Sequence, residues 1–507
     1  MGECWHNTRG RIFGVRSLFC RSDLRPSRDI PPVRPRLLAA AAAGALALCA
    51  ALAPVAARAH ASARPRAAGD AASRYPAGAQ LPRRVARRSE FAHGSSAGGV
   101  SAEPGPTGPS GTGPRPSAGR PPARAKSKRP PARRRSKPGL RGNPARALVA
   151  FAEMQRYFSI PGSGLYAGEP YSYLWPFSQA LAATVSLAEI PKQSNALLAS
   201  DAHELHVRLY GLERYWGPAG QTLPGRPVAE EPTAEGEEPS EPFVTTMPSY
   251  NGNVVPPGGI SYYDDNEWVG IELVRLYELR HETPLLEKAE QVMAFVMAGW
   301  QTSPKLACPG GIPFSDSPNN TDRNTVTDGP AAELGVQLYR LTNNPAYLQF
   351  ALSAYEWVRS CLLQPSNLYA DHIRPHGVVN QALWSYNQGV MIGAGTMLYQ
   401  ATGNGAYLYQ ARQTAKAALS YFTLARLESE NPFFASVYFR NLMYLDSVTH
   451  DPPGPRLAQA YVNDAWMNRR LKDYLFVFGS PPSSQLLVQA AIVQIYALLS
   501  EPASSYF

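Results

Sequence analysis

From about residue 146 onward, apolar positions recur mostly at the spacing of a helix face, and almost no stretch alternates as a half-buried strand would. Clusters of Gly, Pro and Asn cut this region into about twelve segments. Helices are predicted near 145–158, 173–190, 194–214, 264–281, 284–301 and 326–342. Six more follow near 345–363, 387–402, 405–424, 432–448, 455–472 and 484–499.

Three helix boundaries match one another without gaps: "LYELRHETPLLEKA" from Leu276, "LYRLTNNPAYLQFA" from Leu338 and "LYQATGNGAYLYQA" from Leu398. Each closes a helix on Leu-Tyr, turns through polar residues, then places a leucine ten positions and an alanine thirteen positions after the first leucine. The copies begin 62 and 60 residues apart, which is the length of a helical hairpin with its turns. Six such units fit between residue 146 and the last residue, and they can build an open solenoid or a closed toroid. Unequal unit lengths and a long insertion near 217–260, with its acidic "AEEPTAEGEEPSEP", favour closure. The fold class predicted is all-α, a six-hairpin (α/α)6 barrel with a concave face where one set of helix starts converges.

Composition divides the chain in two. Residues 1–149 hold 28 Lys and Arg against 6 Asp and Glu, whereas residues 150–507 hold 21 against 33, so the overall +10 sums about +22 and −12. Residues 37–57 form an apolar run behind an Arg-rich leader, with Ala57, Ala59 and Ala61 spaced for signal peptidase. The run reads as an export signal, or as an uncleaved anchor, being just long enough to span a bilayer. Residues 62–145 are dominated by Ala, Pro, Arg, Gly and Ser and bury too little apolar surface to offset ordering entropy. They read as a disordered basic linker, with anionic envelope polymers or lipids as the alternative contact and no nucleic-acid partner. The division is therefore 1–61 signal or anchor, 62–145 linker and 146–507 helical domain, extracytoplasmic and monomeric. Cys308 and Cys361 are the two cysteines of the helical part, and either a disulfide or two thiols fits them.

Polar and aromatic residues cluster where loops lead into alternate helices: "YSYLWP" at 171, "SYYDDNEW" at 261, "TDRNTVTDGPAAE" at 321 and "WSYNQG" at 384, with "LYADHI" at 368 just before the last. Asp264 and Asp265 stand side by side in the second stretch. Asp264 with Glu267 three positions later fits a capping box at a helix start. Two adjacent carboxyl groups also fit glycoside cleavage, which needs a pair flanking the bond, about 5 to 5.5 Å apart when configuration is retained. Neighbouring negative charges oppose joint ionisation and so favour one acid beside one nucleophile. Tyr262 and Tyr263 precede the helix, and one of them is expected to face a sugar, whose C–H faces stack on aromatic rings. Trp268 lies on the apolar stripe and reads as packing. His372 and His376 suggest a metal only weakly, and no metal or cofactor is expected.

The stretches "YYDDNEWVGIELVRLYE", "RNTVTDGPAAELGVQLYRLTNNPAYLQFALSAYEWV" and "WSYNQGVMIGAGTMLYQATGN" resemble glycoside hydrolase family 76, the endo-α-1,6-mannanases and their fungal cell-wall relatives. The resemblance runs in order across about residues 145–500. It implies an (α/α)6 barrel acting with retention, with Asp264 as nucleophile and Asp265 as acid/base. It also implies sugar contacts from Asp371, from Asn324 and Thr325, and from Tyr386, Asn387 and Gln388. Pro313 and Phe314 stand where an aromatic pair is more usual in the family, and Asp328 where Asn is. These differences bear on subsite walls and substrate length.

The reading is an exported retaining glycosidase acting on α-1,6-linked mannan or a related envelope polysaccharide. The alternatives are a transglycosidase on envelope glycans and a non-catalytic glycan-binding scaffold on the same fold. A sugar isomerase on a similar toroid would want an inward histidine pair, which the sequence does not place.

Overall fold

The computed structural model describes residues 142–191, 195–218, 222–223, 243–244, 247–317, 322–451, 453–479 and 485–506. The predicted leader, nearly all of the linker and the acidic stretch of the insertion lie outside the described residues.

Thirteen helices follow one another among the described residues: α1 Asn143–Phe158, α2 Leu174–Glu189, α3 Asn195–Leu212, α4 Tyr263–Arg280, α5 Thr283–Ala298, α6 Thr325–Thr342 and α7 Pro345–Leu362. They continue as α8 Ser385–Thr402, α9 Gly405–Tyr421, α10 Leu424–Ser429, α11 Pro432–Thr449, α12 Gly454–Asp464 and α13 Leu486–Leu498. All twelve predicted segments are present, and the six-residue α10 is an addition too short to carry a periodic signal. Helix α1 starts at Asn143, slightly before the predicted boundary, with Pro144 in its first turn where a missing N–H costs nothing.

Packing closes a ring. Helix α2 lies against α4, α4 against α6, α6 against α8, α8 against α11, α11 against α13, and α13 back against α2. These six form the inner wall of an (α/α)6 barrel, and α1, α3, α5, α7, α9 and α12 stand outside it. Burial follows that division. Tyr263–Leu276 of α4, Thr325–Leu338 of α6 and Ser385–Leu398 of α8 are buried without interruption. The outer α5 buries Leu285, Ala289, Val292, Met293, Phe295 and Val296 along one stripe.

The repeated motif marks the turn from inner to outer helix. His281, Asn343 and Gly403 all take the left-handed conformation, and their N–H groups donate to the carbonyls of Tyr277, Tyr339 and Tyr399. Outgoing helices α7 and α9 then start on Asn344 and Asn404, whose side chains accept from Ala346 and Ala406 N–H. The repeated alanine marks close packing: a Cβ on Gly335 would meet the Cβ of Ala351 at 3.1 Å, and one on Gly395 that of Ala411 at 3.3 Å.

Buried charge crosses the interior toward the C-terminal halves of the inner helices. Arg275 of α4 bonds Glu272 at 2.8 Å and Ser186 of α2 at 3.2 Å, and it also pairs with Glu189. Arg440 of α11 reaches the same Ser186 at 3.0 Å and Glu501 at 3.2 Å. Burial raises the Glu272 carboxyl and pushes that of Glu501 up to about 7, against the pull of the two arginines. Such a cluster ties α2, α4, α11 and the end of α13 into one register, and removing one partner would strand a buried charge.

Gly393 is the tightest crossing. A Cβ there would run into the side-chain oxygens of Asn441 and Glu333, on the two inner helices flanking α8. Gly393→Ala should therefore lower stability by ~1–3 kcal/mol through overpacking, read as a shift in urea midpoint with unchanged slope. An unchanged midpoint would mean that α6 and α11 can part to admit a methyl group.

Candidate active site

Inner helices separated by antiparallel outer ones all run the same way, so their N-termini share one face of the barrel. Each brings N–H groups that have no partner within their own helix ladder, and the positive end of a helix dipole. The predicted polar stretches lie on this face, joined there by short extended pairings. Tyr262 pairs with Ser315, Pro313 with Arg323, and strand β1 Arg323–Asn324 with β2 His372–Ile373, which pairs in turn with β3 Val379–Asn380. The loops before α4, α6 and α8 thus form one hydrogen-bonded run, satisfying backbone groups that burial would otherwise strand.

Asp264 and Asp265 occupy the second and third positions of α4 and are buried. Asp264 Oδ1 accepts from the Asp265 N–H at 3.0 Å. The predicted capping box of Asp264 and Glu267 is not formed, because the helix begins earlier. Pairing with Ser315 holds Tyr262 extended in the N-cap position, and the Tyr263 N–H donates to the Phe314 carbonyl at 3.2 Å. Asp264 therefore lies inside the first turn, where the dipole still favours its charge. Asn266 fastens this start from behind: its Oδ1 accepts from Tyr250 N–H and its Nδ2 donates to the Tyr250 and Tyr262 carbonyls.

Asp371 is brought onto the same run. Its Oδ1 accepts from Asn387 Nδ2 at 3.0 Å and its Oδ2 lies 3.0 Å from His372 Nδ1, while His372 Nε2 is 3.5 Å from Asp322. The histidine is thus held between two carboxylates. Asn324 occupies the N-cap position of α6, with its N–H to Thr327 Oγ1 at 3.3 Å.

Several predicted sugar contacts have other work. Tyr263 points outward, stacked on Phe295 of α5 with centroids 4.5 Å apart and planes 10° apart, so it belongs to the core; Tyr262 instead meets Phe314 edge-on. Thr325 spends its hydroxyl on the Ala370 carbonyl at 2.7 Å, and its N–H on that of Asp371. Gln388 accepts from Tyr369 N–H and donates to the Tyr369 and Trp384 carbonyls, clamping the loop that delivers Asp371. Tyr386 lies flat on Phe434, 4.0 Å between centroids. Thr325 and Gln388 thus position the run, and the two tyrosines pack against neighbouring helices. Trp268 packs as expected, edge-on to Phe433, which also meets Trp175 and Tyr386.

Other residues shape this face without standing among the predicted contacts. Arg323 is fully buried and donates to the carbonyls of Ala307, Cys308 and Gly310, folding the loop that precedes the Ile312–Ser315 segment. Cys308 and Cys361 form a disulfide that fixes that loop to α7. Asp316 accepts from the Ser261 N–H at 3.0 Å, and burial pushes its carboxyl up to about 7. Asp328 accepts from the Ile312 N–H, and burial pushes its carboxyl well above the ordinary range against the pull of that bond and of Arg323. Glu430 accepts from both the N–H and the hydroxyl of Ser385, capping the helix that carries Asn387.

The model described as Glycosyl hydrolase family 76 matches residues 246–445, which spans the aspartate pair, the Asn324 cap, Asp371 and the start of α8. Mannan endo-1,6-alpha-mannosidase DCW1 of Candida albicans is 27% identical over 199 residues, 36% of this chain and 40% of the relative. The chain spans 33% to 40% of the length of the curated relatives it matches. Among solved structures, the family 76 mannosidase Bt3792 of Bacteroides thetaiotaomicron shares the fold at TM-score 0.59 and 19% identity, covering 71% of this chain and 98% of its own. An inactive variant of the alpha-1,6-mannanase GH76A of Salegentibacter, with two consecutive aspartates changed to asparagine and alpha-1,6-mannotriose bound, gives 0.54 and 19%, covering 71% and 99%.

Glu430 offers a pH test of the α8 start. Burial, opposed by its bonds to Ser385, raises its carboxyl from 4.5 to about 7. The folded protein keeps that proton in a window where the unfolded chain has lost it, so stability falls as pH rises from 4.5 to about 7 and is level above. Relative to Glu430→Gln, which keeps an acceptor and does not titrate, the wild type should lose ~1–3 kcal/mol across that window. Parallel denaturation curves at every pH would show that Glu430 does not titrate there.

Proposed function

Residues 246–445 belong to glycosyl hydrolase family 76, and from that premise we propose that the chain is a retaining glycosidase cleaving α-1,6-mannosidic bonds. The observation that carries the reading is the pair Asp264 and Asp265, buried in the first turn of an inner helix and tied through one hydrogen-bonded run to Asp371 and Asn387. The mannan-directed names of the relatives and the mannotriose-bound neighbour support mannan as the substrate class.

In the first step the Asp264 carboxylate attacks the anomeric carbon, the glycosidic C–O bond breaks, and the Asp265 proton passes to the leaving oxygen. Asp265, now ionised, takes a proton from water, whose oxygen displaces Asp264 and restores the starting configuration. Helix α4 stabilises the carboxylate that must stay charged, through its N-terminal N–H groups and dipole. In this reading Asp371, held by Asn387 and His372, accepts hydrogen bonds from sugar hydroxyls. Tyr262, Asn324 and Asn387 complete the polar and aromatic lining. The reaction needs no metal or cofactor, and a monomer carries every group named. The disulfide favours an oxidising, extracytoplasmic compartment, in keeping with an export signal or anchor at residues 37–57.

Purified enzyme incubated with linear α-1,6-mannan should release oligosaccharides, whose lengths report endo or exo action. Asp264→Asn and Asp265→Asn should each lose about a thousandfold or more in turnover while still binding the polymer. Asn387→Ala, which frees Asp371, should cost about a hundredfold. Products from both aspartate variants at wild-type rates would sink the assignment, and products elongated in the presence of mannobiose would mark a transferase.

A further inference from the structure

Helix α12 does not end cleanly. It widens into a π turn, Ala465–Arg469, then reverses over Leu471–Leu475, where Tyr474 N–H donates to the Leu471 carbonyl and Arg470 pairs with Phe476. Single π turns are rare and concentrate at functional positions. Tyr474 takes a left-handed backbone, φ 66°, which a bulky residue adopts only at a cost.

The excursion carries the wrong surface for a plain loop. Met467 is 77% exposed, Leu471 42% and Tyr474 39%, and Lys472 is exposed beside them. Arg470 lies over both the Trp466 ring, at 4.3 Å, and the Tyr474 ring, at 4.6 Å, and Arg146 of α1 lies 4.7 Å from the Trp466 centroid. Arg469 is paired with Glu428 and Asp464, and Asp473 accepts from the Tyr157 hydroxyl. Among the described residues, Arg146, Arg470 and Lys472 make no ion pair. The result is a tip of apolar and aromatic side chains interleaved with cations that, among the described residues, have no carboxylate partner.

From this we infer that the Trp466–Tyr474 excursion is a docking surface for an anionic phospholipid bilayer. Met467, Leu471 and Tyr474 would enter the acyl boundary while Arg470, Lys472 and Arg146 meet lipid phosphates, the division of labour seen in interfacial anchors. An anionic polysaccharide would use the cations but give Met467 and Leu471 no apolar partner, and Trp466 is already engaged by two arginines rather than open to a sugar ring. Chain connectivity supports the same occupant. Helix α1 runs beside the excursion, with Asn143 bonded to Gln459, Arg146 to Asn463 and Tyr157 to Asp473. Helix α1, which the basic stretch 62–145 precedes in sequence, therefore borders this patch. The inference is independent of the glycosidase reading.

The test is vesicle co-sedimentation of the full chain, comparing pure phosphatidylcholine with vesicles holding ~30 mol% phosphatidylglycerol, alongside Met467→Ser/Leu471→Ser/Tyr474→Ser. The N-terminal apolar run and linker are common to both proteins, so the difference isolates the patch. The wild type should favour the anionic vesicles, and the triple variant should partition about tenfold less, with unchanged far-UV circular dichroism. Brominated lipids should quench a component of wild-type tryptophan emission that Trp466→Phe removes. Equal partition of both proteins, or quenching indifferent to Trp466→Phe, overturns the inference. So does tight binding to dextran sulfate that the serine substitutions leave intact and that exceeds binding to vesicles.

Discussion

Closure of the inner ring is the constraint on which the rest depends. A helix with neighbours on both sides in the ring, another behind it and the barrel interior in front has no solvent face, so α4, α6 and α8 are buried over fourteen consecutive residues each. Such helices cannot be uniformly large and apolar, since six of them must meet around one axis. They use glycine where they cross and polar side chains where they face inward, and each polar group then needs a partner. Arg275 and Arg440, sharing Ser186, are one solution, and the aspartates in the first turn of α4 are another, with the helix dipole as part of the compensation.

Closure also makes the inner helices parallel, which gathers their starts on one face and obliges the loops there to satisfy one another. The extended run from Tyr262 to Asn380 is the outcome. It explains why residues distant in sequence behave as one unit: Asp371 is held by a side chain of α8, by the Asn380 carbonyl and, through its own carbonyl, by Thr325 at the start of α6. Arg323 and the Cys308–Cys361 disulfide stiffen the outer edge of this run.

Much of this architecture was legible in the sequence. Helical periodicity and the Leu-Tyr repeat located the hairpins, because left-handed caps and close alanine contacts leave a mark at fixed spacing. The aspartate pair and the stretches around it stand out in the sequence because polar and aromatic residues at helix starts are dense there, and the fold gathers those stretches on one face. The role of each side chain within the stretches was not. Tyr262 and Tyr263 are adjacent and chemically alike, yet one faces Phe314 and the other stacks on the outer helix, a difference set by where α4 begins. Gln388 and Thr325 are consumed by backbone groups that become neighbours only when the run is assembled. Arg323, Asp316, Glu430 and Phe433 act across gaps of sequence that no local pattern spans.

The left-handed turn after the inner helices has a consequence for how this scaffold can diversify. His281, Asn343, Gly403 and His450 occupy it in four hairpins with the same carbonyl four residues back as acceptor. A junction indifferent to whether histidine, asparagine or glycine fills it acts as a standard fitting, keeping one end of the barrel short and uniform. Variation is thereby channelled to the opposite end, where connections such as the long one between α3 and α4 grow without re-registering any helix. A lineage could exchange those connections as cassettes and reshape the rim above Asp264 and Asp265, leaving the frame that holds the two carboxylates untouched.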